Sequence, residues 1–130
     1  MTSRWIAVLG VSLAVLTGSC SEAPTAGDLI VNLTTPNSDD GAIMFNATAT
    51  ASQTITGVLS PCNNCKLFLV KVSDTQYKGV LTGTIAAGTL FRVGVSDTKS
   101  PTDYSVQILA VSSRTLVLRN AGAYSVTLTK

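Results

Sequence analysis

The sequence predicts an all-β protein, a two-layer antiparallel β-sandwich of about eight or nine short strands. Three observations favour this class. Thr and Val, which suit strands, are abundant, whereas Glu and Lys, common on helix surfaces, are scarce. Short alternating apolar and polar segments recur between turn residues, and no amphipathic helical period occurs among them. A closed barrel is the alternative arrangement of such strands.

The first 19 residues predict a signal peptide with a short helix. Arg4 supplies one positive charge, and residues 5–16 form a nearly uninterrupted apolar run of 12 residues. Signal-peptide cores have about 7–15 such residues. A membrane-spanning helix needs roughly 20, so this run is too short to cross a bilayer.

The end of this segment resembles the lipobox of bacterial lipoproteins, where an aliphatic residue and two small residues precede an acylated cysteine. Gly18, Ser19 and Cys20 match this pattern, and Thr17 occupies the usual aliphatic position. The resemblance implies cleavage before Cys20, lipidation of its thiol, and an extracytoplasmic location at the outer membrane or cell surface. The alternative is an ordinary secretory signal cleaved near Ser19, with Cys20 incidental.

Residues 20–28 are interpreted as the lipidated cysteine and a flexible tether, followed by a β-sandwich domain over residues 29–130. The tether contains small and polar residues, one Pro and one Gly, without an apolar period. Its last eight residues reach at most about 26 Å when fully extended. The domain is therefore expected to lie close to the membrane surface.

The first half of the domain predicts three strands separated by turns. Residues 29–33 form the first strand, and the turn-forming segment 34–41 contains a Pro and a Gly. Residues 42–49 alternate strictly, and a shorter strand covers 54–59. The inward-facing residues predicted in the second strand are Ile43, Phe45, Ala47 and Ala49.

Residues 66–72 are apolar on both faces, which predicts a central strand. The next two strands, 77–85 and 89–95, are joined by a connector of three residues, which predicts a hairpin. The inward-facing residues predicted for this pair are Leu81, Ile85, Phe91, Val93 and Val95.

The last part of the chain predicts a strand beginning at Tyr104, a short strand within 115–118, and a closing strand beginning at Tyr124. The inward-facing residues expected here are Tyr104, Val106, Ile108, Ala110, Tyr124, Val126 and Leu128.

Residues 40–45 and 83–95 resemble the strand pattern of cohesin-type sandwiches, and Ig-like domains use similar strands. The chain is also similar to small bacterial lipoproteins built from one such domain. The resemblance implies a jelly-roll or Ig-like topology and an adhesive role toward a protein or glycan. No dockerin-contact motif matches, so no interface residue is transferred.

Cys62 and Cys65 are separated by two asparagines within a turn between two predicted strands. In an oxidising compartment this spacing predicts a local disulfide. The alternatives are a redox-active pair, which normally begins a helix after a strand, and two free thiols. A structural zinc site needs four ligands, whereas the chain has only one other cysteine, Cys20, and no His.

The residues that usually carry catalysis are missing or occupy turn positions. The chain has no His, and its aspartates fall in turn signals, where Asp satisfies the backbone. Asp39 and Asp40 could bind calcium but lack the spacing of an EF-hand, so an ordinary turn is expected. We therefore expect a non-enzyme without a cofactor or metal.

Composition also bears on the partners. The net charge of +2 and the absence of a basic cluster argue against nucleic-acid binding. The tyrosines lie on inward faces, so a glycan-binding aromatic platform is not expected. The arginines could form a basic patch, although a solvated surface is the default.

The predicted function is a lipid-anchored cell-envelope β-sandwich with a non-catalytic structural or binding role. One alternative is an adhesion module that recognises a protein or glycan. The other is an envelope thiol–disulfide protein using Cys62 and Cys65.

Overall fold

The computed structural model describes residues 23–50 and 52–130. The predicted signal-peptide helix and the lipidation at Cys20 lie outside these residues. The described part of the chain is all-β and forms two antiparallel sheets, which confirms the predicted class. No helix within it has the length and apolar character needed to cross a bilayer.

Nine strands and two short 3-10 turns, Pro101–Asp103 and Ala121–Ala123, make up the described residues. The strands are β1 (Gly27–Thr34), β2 (Asp40–Ala49), β3 (Ile55–Leu59), β4 (Cys65–Ser73), β5 (Gln76–Ile85), β6 (Gly88–Val95), β7 (Tyr104–Ser113), β8 (Leu118–Arg119) and β9 (Ser125–Thr129). The four-stranded sheet has the order β3-β6-β1-β9, and the five-stranded sheet has the order β4-β5-β2-β7-β8.

The inner faces of the two sheets share one hydrophobic core. Phe45 of β2 and Phe91 of β6 meet across it with ring centroids 4.5 Å apart, and both are fully buried. Alternation along the strands adds the neighbouring core residues, such as Leu29 and Val31 of β1. Burial of each large apolar side chain contributes about 1.5–3 kcal/mol, so this core is the main source of stability.

The pair of sheets has two ends, which are named here the near end and the far end. The near end is where the described chain begins, at Ala23, and the far end carries the β1–β2 loop. At the near end Thr25 donates its backbone N–H to Asp97, and Lys99 donates to the Ala23 carbonyl. The first strand begins at Gly27, two residues before the predicted domain boundary. The last residues of the predicted tether therefore belong to the domain.

Strand β4 lies at the edge of the five-stranded sheet, so the prediction that residues 66–72 form a central strand was wrong. Within the described residues β4 pairs with β5 alone. Its outward side chains stay exposed, with Phe68 at 60% and Val70 at 65%. Strand β4 is apolar on both faces, and the face that carries Phe68 and Val70 is exposed to solvent.

The predicted hairpin between residues 77–85 and 89–95 was also wrong, because β5 and β6 lie in different sheets. Between Ile85 and Gly88 the chain crosses from one sheet to the other at the far end of the core. Gly88 has φ of 114° and Gly83 has φ of 136°, a region that favours glycine. The short connector therefore changes sheets, and the hairpin forms instead between β4 and β5.

A bulge in β7 reverses one predicted orientation. Met44 of β2 pairs with Ala110, whereas Phe45 pairs with Ile108, so Leu109 is an extra residue in β7. Ala110, predicted to face inward, therefore joins the outer face, and Val111 is buried instead.

Candidate interaction surface

The outer face of the five-stranded sheet carries an unbroken row of apolar residues across four strands. Phe68 of β4 is opposite Val80, Val80 is opposite Met44, and Met44 is opposite Ala110 of β7. We call these four residues the apolar row. At a strand spacing of about 4.8 Å the row spans about 14 Å of backbone.

The apolar row is exposed because it has no covering layer within the described residues. Phe68 is 60% exposed and Met44 is 47% exposed, whereas Ile43 and Phe45, the chain neighbours of Met44, are fully buried in the core. Exposed apolar residues bound a shallow groove of about 360 Å³ beside the row, with Val70 and Leu109 at its margins. Contiguous exposed apolar surface of this kind marks interaction sites in soluble proteins.

The row continues at the far end into the β7–β8 loop. Leu118 of β8 lines a second groove together with Met44, Val80 and Ala110. Leu116 is 86% exposed and Leu118 is 81% exposed, so this loop presents large apolar side chains to solvent. Of the short strand predicted within residues 115–118, only Leu118 is in a strand.

Hydrogen bonds to Ser113 connect the exposed loop to the end of β7. Ser113, which is 1% exposed, donates its backbone N–H to Val117, and its hydroxyl accepts from the Val117 N–H at 3.1 Å. Leu116 adopts φ of 65°, a conformation that is uncommon for a branched residue without compensating contacts.

The exposed charged residues in the strands of this sheet are all positive. The exposed charged residues of the strands other than the two-residue β8 are lysines, Lys66 and Lys71 in β4 and Lys78 in β5. The only acidic residue in the five strands is Asp40, which is fully buried. Lys71 is paired with Asp74 at 2.9 Å, and this hydrogen bond raises the pKa of Lys71.

A polar cluster stabilises the far end beside this surface. Asp40 accepts hydrogen bonds from Tyr124 at 2.7 Å and from Thr35 at 2.7 Å. Burial, and then the Asp40 carboxylate, raises the pKa of Tyr124 above its ordinary value of 10.0. Asn37 donates to the Tyr124 hydroxyl at 2.9 Å. Both oxygens of the buried Asp40 side chain therefore accept a hydrogen bond, as buried polar groups generally do.

The two acidic residues of the predicted turn have protein partners. Arg119 donates one nitrogen to both oxygens of Asp39 at 2.7 Å and another to Asn37 at 2.9 Å. No group of three or more His, Cys, Asp or Glu that could hold a metal occurs among the described residues. The side chains of Asp39 and Asp40 are therefore both engaged by protein donors. Arg92, which could have joined Arg119 in a basic patch, lies on β6 in the other sheet.

The Cys62–Cys65 pair fixes the start of β4. The sulfur atoms lie 1.97 Å apart, as expected for a local disulfide. Cys62 donates its N–H to Leu90 at 2.7 Å, and Asn64 adopts φ of 61° in the turn. Adjacent Gly83 leaves room for the Asn64 carbonyl. The pair sits between two strands and does not begin a helix, unlike thioredoxin-type sites.

The three tyrosines of the described residues are buried. Tyr77, Tyr104 and Tyr124 are 8%, 5% and 7% exposed, in line with their predicted inward orientation. Phe68 is the exposed aromatic side chain of the sheet surface. The surface is therefore aliphatic and sulfur-containing with one aromatic residue.

The comparisons with known proteins give no relative from which a function can be transferred. No known protein family, curated protein or solved structure matches the chain.

Sequence reasoning did not identify the apolar row. Its four residues come from four strands, and only the pairing register aligns them. One signal was present in the chain itself, since residues 66–72 are apolar at both odd and even positions. If residues 66–72 form an edge strand, one of their apolar faces must be exposed. The sequence analysis placed them in a central strand, so it predicted that both faces are buried.

Proposed function

We propose that the protein is a lipid-anchored, non-catalytic binding module of the cell envelope that holds a protein partner. The observation that carries this proposal is the apolar row together with Leu116 and Leu118. An aliphatic surface with a single aromatic residue suits the apolar side chains of another protein better than sugar rings. Cohesin-like or Ig-like ancestry would accord with such adhesion.

The position of the surface supports a binding role. The chain enters the domain at the near end, where Thr25 and Asp97 are hydrogen-bonded, whereas Leu116 and Leu118 lie at the far end. Strands of eight to ten residues separate the two ends by roughly 30 Å. A lipid at Cys20 would attach on the near side, leaving the β7–β8 loop facing away from the membrane.

Capture from a native envelope extract tests the binding role. We expect immobilised full-length protein to retain a discrete protein partner. The paired substitution Met44→Ser and Leu118→Ser should reduce recovery at least about tenfold, because apolar contacts at an interface centre contribute about 1–2 kcal/mol or more each.

Leu59→Ser is the matched control, because Leu59 is an exposed apolar residue at 38% on the other sheet. It should leave recovery unchanged. Equal recovery by the wild type and the Met44/Leu118 variant would contradict a binding role for the apolar row.

A further inference from the structure

A second row of side chains runs beside the apolar row on the outer face of the five-stranded sheet. Lys66 of β4 is opposite Thr82, Thr82 is opposite Ala42, and Ala42 is opposite Ser112 of β7. We call these four residues the far row, because each lies two positions nearer the far end than the residue of the apolar row on the same strand. Two residues along a strand span about 7 Å, which is the distance between the two rows.

A groove of about 350 Å³ lies over the far row. Thr82 and Ser112 line it, together with Arg114, which follows β7 directly. The side chains of Thr82 and Ser112 are partly exposed. Neither hydroxyl is hydrogen-bonded to another group of the described residues. Both hydroxyls can therefore donate to an acceptor that enters the groove.

Positive side chains lie at both sides of the far row. Lys66 is on the exposed edge strand β4, and Arg114 is beyond the end of β7 on the opposite side. Within residues 23–50 and 52–130 neither side chain forms an ion pair, although Arg114 donates to the Ser38 carbonyl at 3.3 Å. A groove bounded by cations and lined by hydroxyls favours an anionic ligand.

The acidic side chains at the far end are already engaged. Arg114 donates its backbone N–H to the Asp39 carbonyl at 2.8 Å, but the carboxylate of Asp39 is bound by Arg119. Asp40 is fully buried. The positive charges of Lys66 and Arg114 are therefore available to an acid from another molecule.

We propose that the protein partner of the apolar row carries an acidic side chain beside an apolar one. The apolar side chain would lie on the apolar row, and the carboxylate would enter the groove over the far row. This deepens the proposed function and rests on it. A separation of about 7 Å is that of residues i and i+2 in an extended segment. Hydroxyl donors and a nearby cation together favour a carboxylate, because hydrogen bonds to charged groups are the stronger ones.

The number of charges favours a protein segment over an anionic membrane. Each basic residue near an anionic lipid surface contributes about 1 kcal/mol, and basic clusters that bind lipid contain about 4–8 residues. The outer face presents Lys66, Lys78 and Arg114. A groove between two of these also receives a single side chain better than it fits a flat lipid surface.

Selection from a random peptide library tests the chemistry of the partner. The probe is the library displayed on phage, and the target is the full-length chain carrying Cys20→Ser. Selected peptides should combine a large apolar residue with a nearby Asp or Glu. Replacing that acid by its amide should weaken binding at least about tenfold, because a charge-assisted hydrogen bond is lost. Selection of apolar peptides without acids, or of none, would overturn the proposal.

Charge reversal locates the acid on the far row. Lys66→Glu and Arg114→Glu should each weaken binding of a selected acidic peptide at least about tenfold, because like charges would then meet. Arg92→Glu is the matched control, since Arg92 is exposed on the other sheet and the change in net charge is the same. Equal losses in all three variants, or no loss in Lys66→Glu and Arg114→Glu, would contradict the far row as the acid site.

Salt and vesicles separate the possible ligands of this face. Added salt should weaken the peptide complex, since it screens exposed charges, whereas a purely apolar contact would not weaken. Vesicles of phosphatidylglycerol and phosphatidylcholine serve as the lipid probe, and the Cys20→Ser chain should not sediment with them. Binding to these vesicles that is lost in Lys66→Glu would assign the face to an anionic lipid surface and overturn the proposal.

Failure of this inference can be distinguished from failure of the proposed function. The Met44/Leu118 variant removes apolar contacts but keeps Lys66 and Arg114. An envelope partner that is lost in that variant but fully retained by Lys66→Glu and Arg114→Glu would preserve the binding role and refute the acidic chemistry. A partner retained by all of these variants would contradict both.

Discussion

Gly79 is the residue that lets β5 pass directly over the central aromatic ring of the core. A Cβ atom at this position would lie 2.5 Å from Phe45 Cζ and 2.9 Å from Leu69 Cδ2. Gly79→Ala should therefore destabilise the protein by about 1–3 kcal/mol through overpacking. Urea unfolding measures this change.

Gly57→Ala is the matched control for that substitution. A Cβ at Gly57 meets no atom within 4 Å among the described residues, so stability should change by less than about 0.5 kcal/mol. Equal effects of the two substitutions would show that the tight packing at Gly79 is not what limits stability.

The hydroxyl of Tyr124 stabilises a fully buried carboxylate. Tyr124→Phe removes the 2.7 Å hydrogen bond to Asp40 and the acceptor of Asn37. We expect a loss of about 1–3 kcal/mol in the free energy of unfolding, because a buried acceptor loses one of its donors. Ser125→Ala, an exposed neighbour, serves as control, and an unchanged Tyr124→Phe variant would contradict this role.

The same tyrosine predicts a pH dependence. The folded pKa of Tyr124 is raised above 10.0, so folding favours its protonated form. The stabilisation is complete below pH about 10 and is lost as pH rises through the folded pKa. The free energy of unfolding should therefore fall more steeply above pH 10 in the wild type than in Tyr124→Phe. Parallel profiles of the two proteins would refute the prediction.

At the scale of elements, the disulfide acts on the start of β4. Replacing Cys62 and Cys65 together by Ser should cost about 2 kcal/mol or less, because the loop that the bond closes is short. The larger effect should be local. Hydrogen exchange should accelerate at residues 62–66, while exchange in β1 at the centre of the other sheet stays slow. Unchanged exchange at 62–66 would contradict the proposed role in fixing β4.

The alternation of apolar and polar residues predicts the inward-facing side chains correctly in some strands and wrongly in others. Alternation correctly assigned the inward residues Ile43 and Phe45 of β2, since period-two patterning is a property of the strand itself. It assigned Ala110 wrongly, because the extra residue Leu109 shifts the register of β7. A bulge depends on the partner strand, so the sequence of β7 alone does not reveal it.

At the scale of the whole molecule, the proposed anchor sets where the domain acts. Cys20→Ala should move the protein from the membrane fraction to the soluble fraction, because the proposed lipid would be attached through the Cys20 thiol. The Cys62→Ser, Cys65→Ser variant should stay in the membrane fraction. Mass spectrometry of the mature N-terminus provides the direct measurement. An unmodified Cys20, or membrane retention of Cys20→Ala, would contradict the anchor.

The candidate surface belongs to the whole molecule. Phe68, Val80, Met44 and Ala110 are up to 66 positions apart in the chain. They form a row only because β4, β5, β2 and β7 pair in this order and register. The sequence predicts that each of the four residues lies in a strand. It does not predict that they lie side by side on the outer face.

The sequence by itself determined the all-β class, most strand positions, and the burial of the three tyrosines, because propensity and alternation act within a few residues. It also places two cysteines close enough for a local disulfide. Only the tertiary structure decided that β4 is an edge, that β5 and β6 separate into different sheets, and that the apolar row is exposed. These features depend on which strands pair, and pairing is fixed by packing among residues distant in the chain.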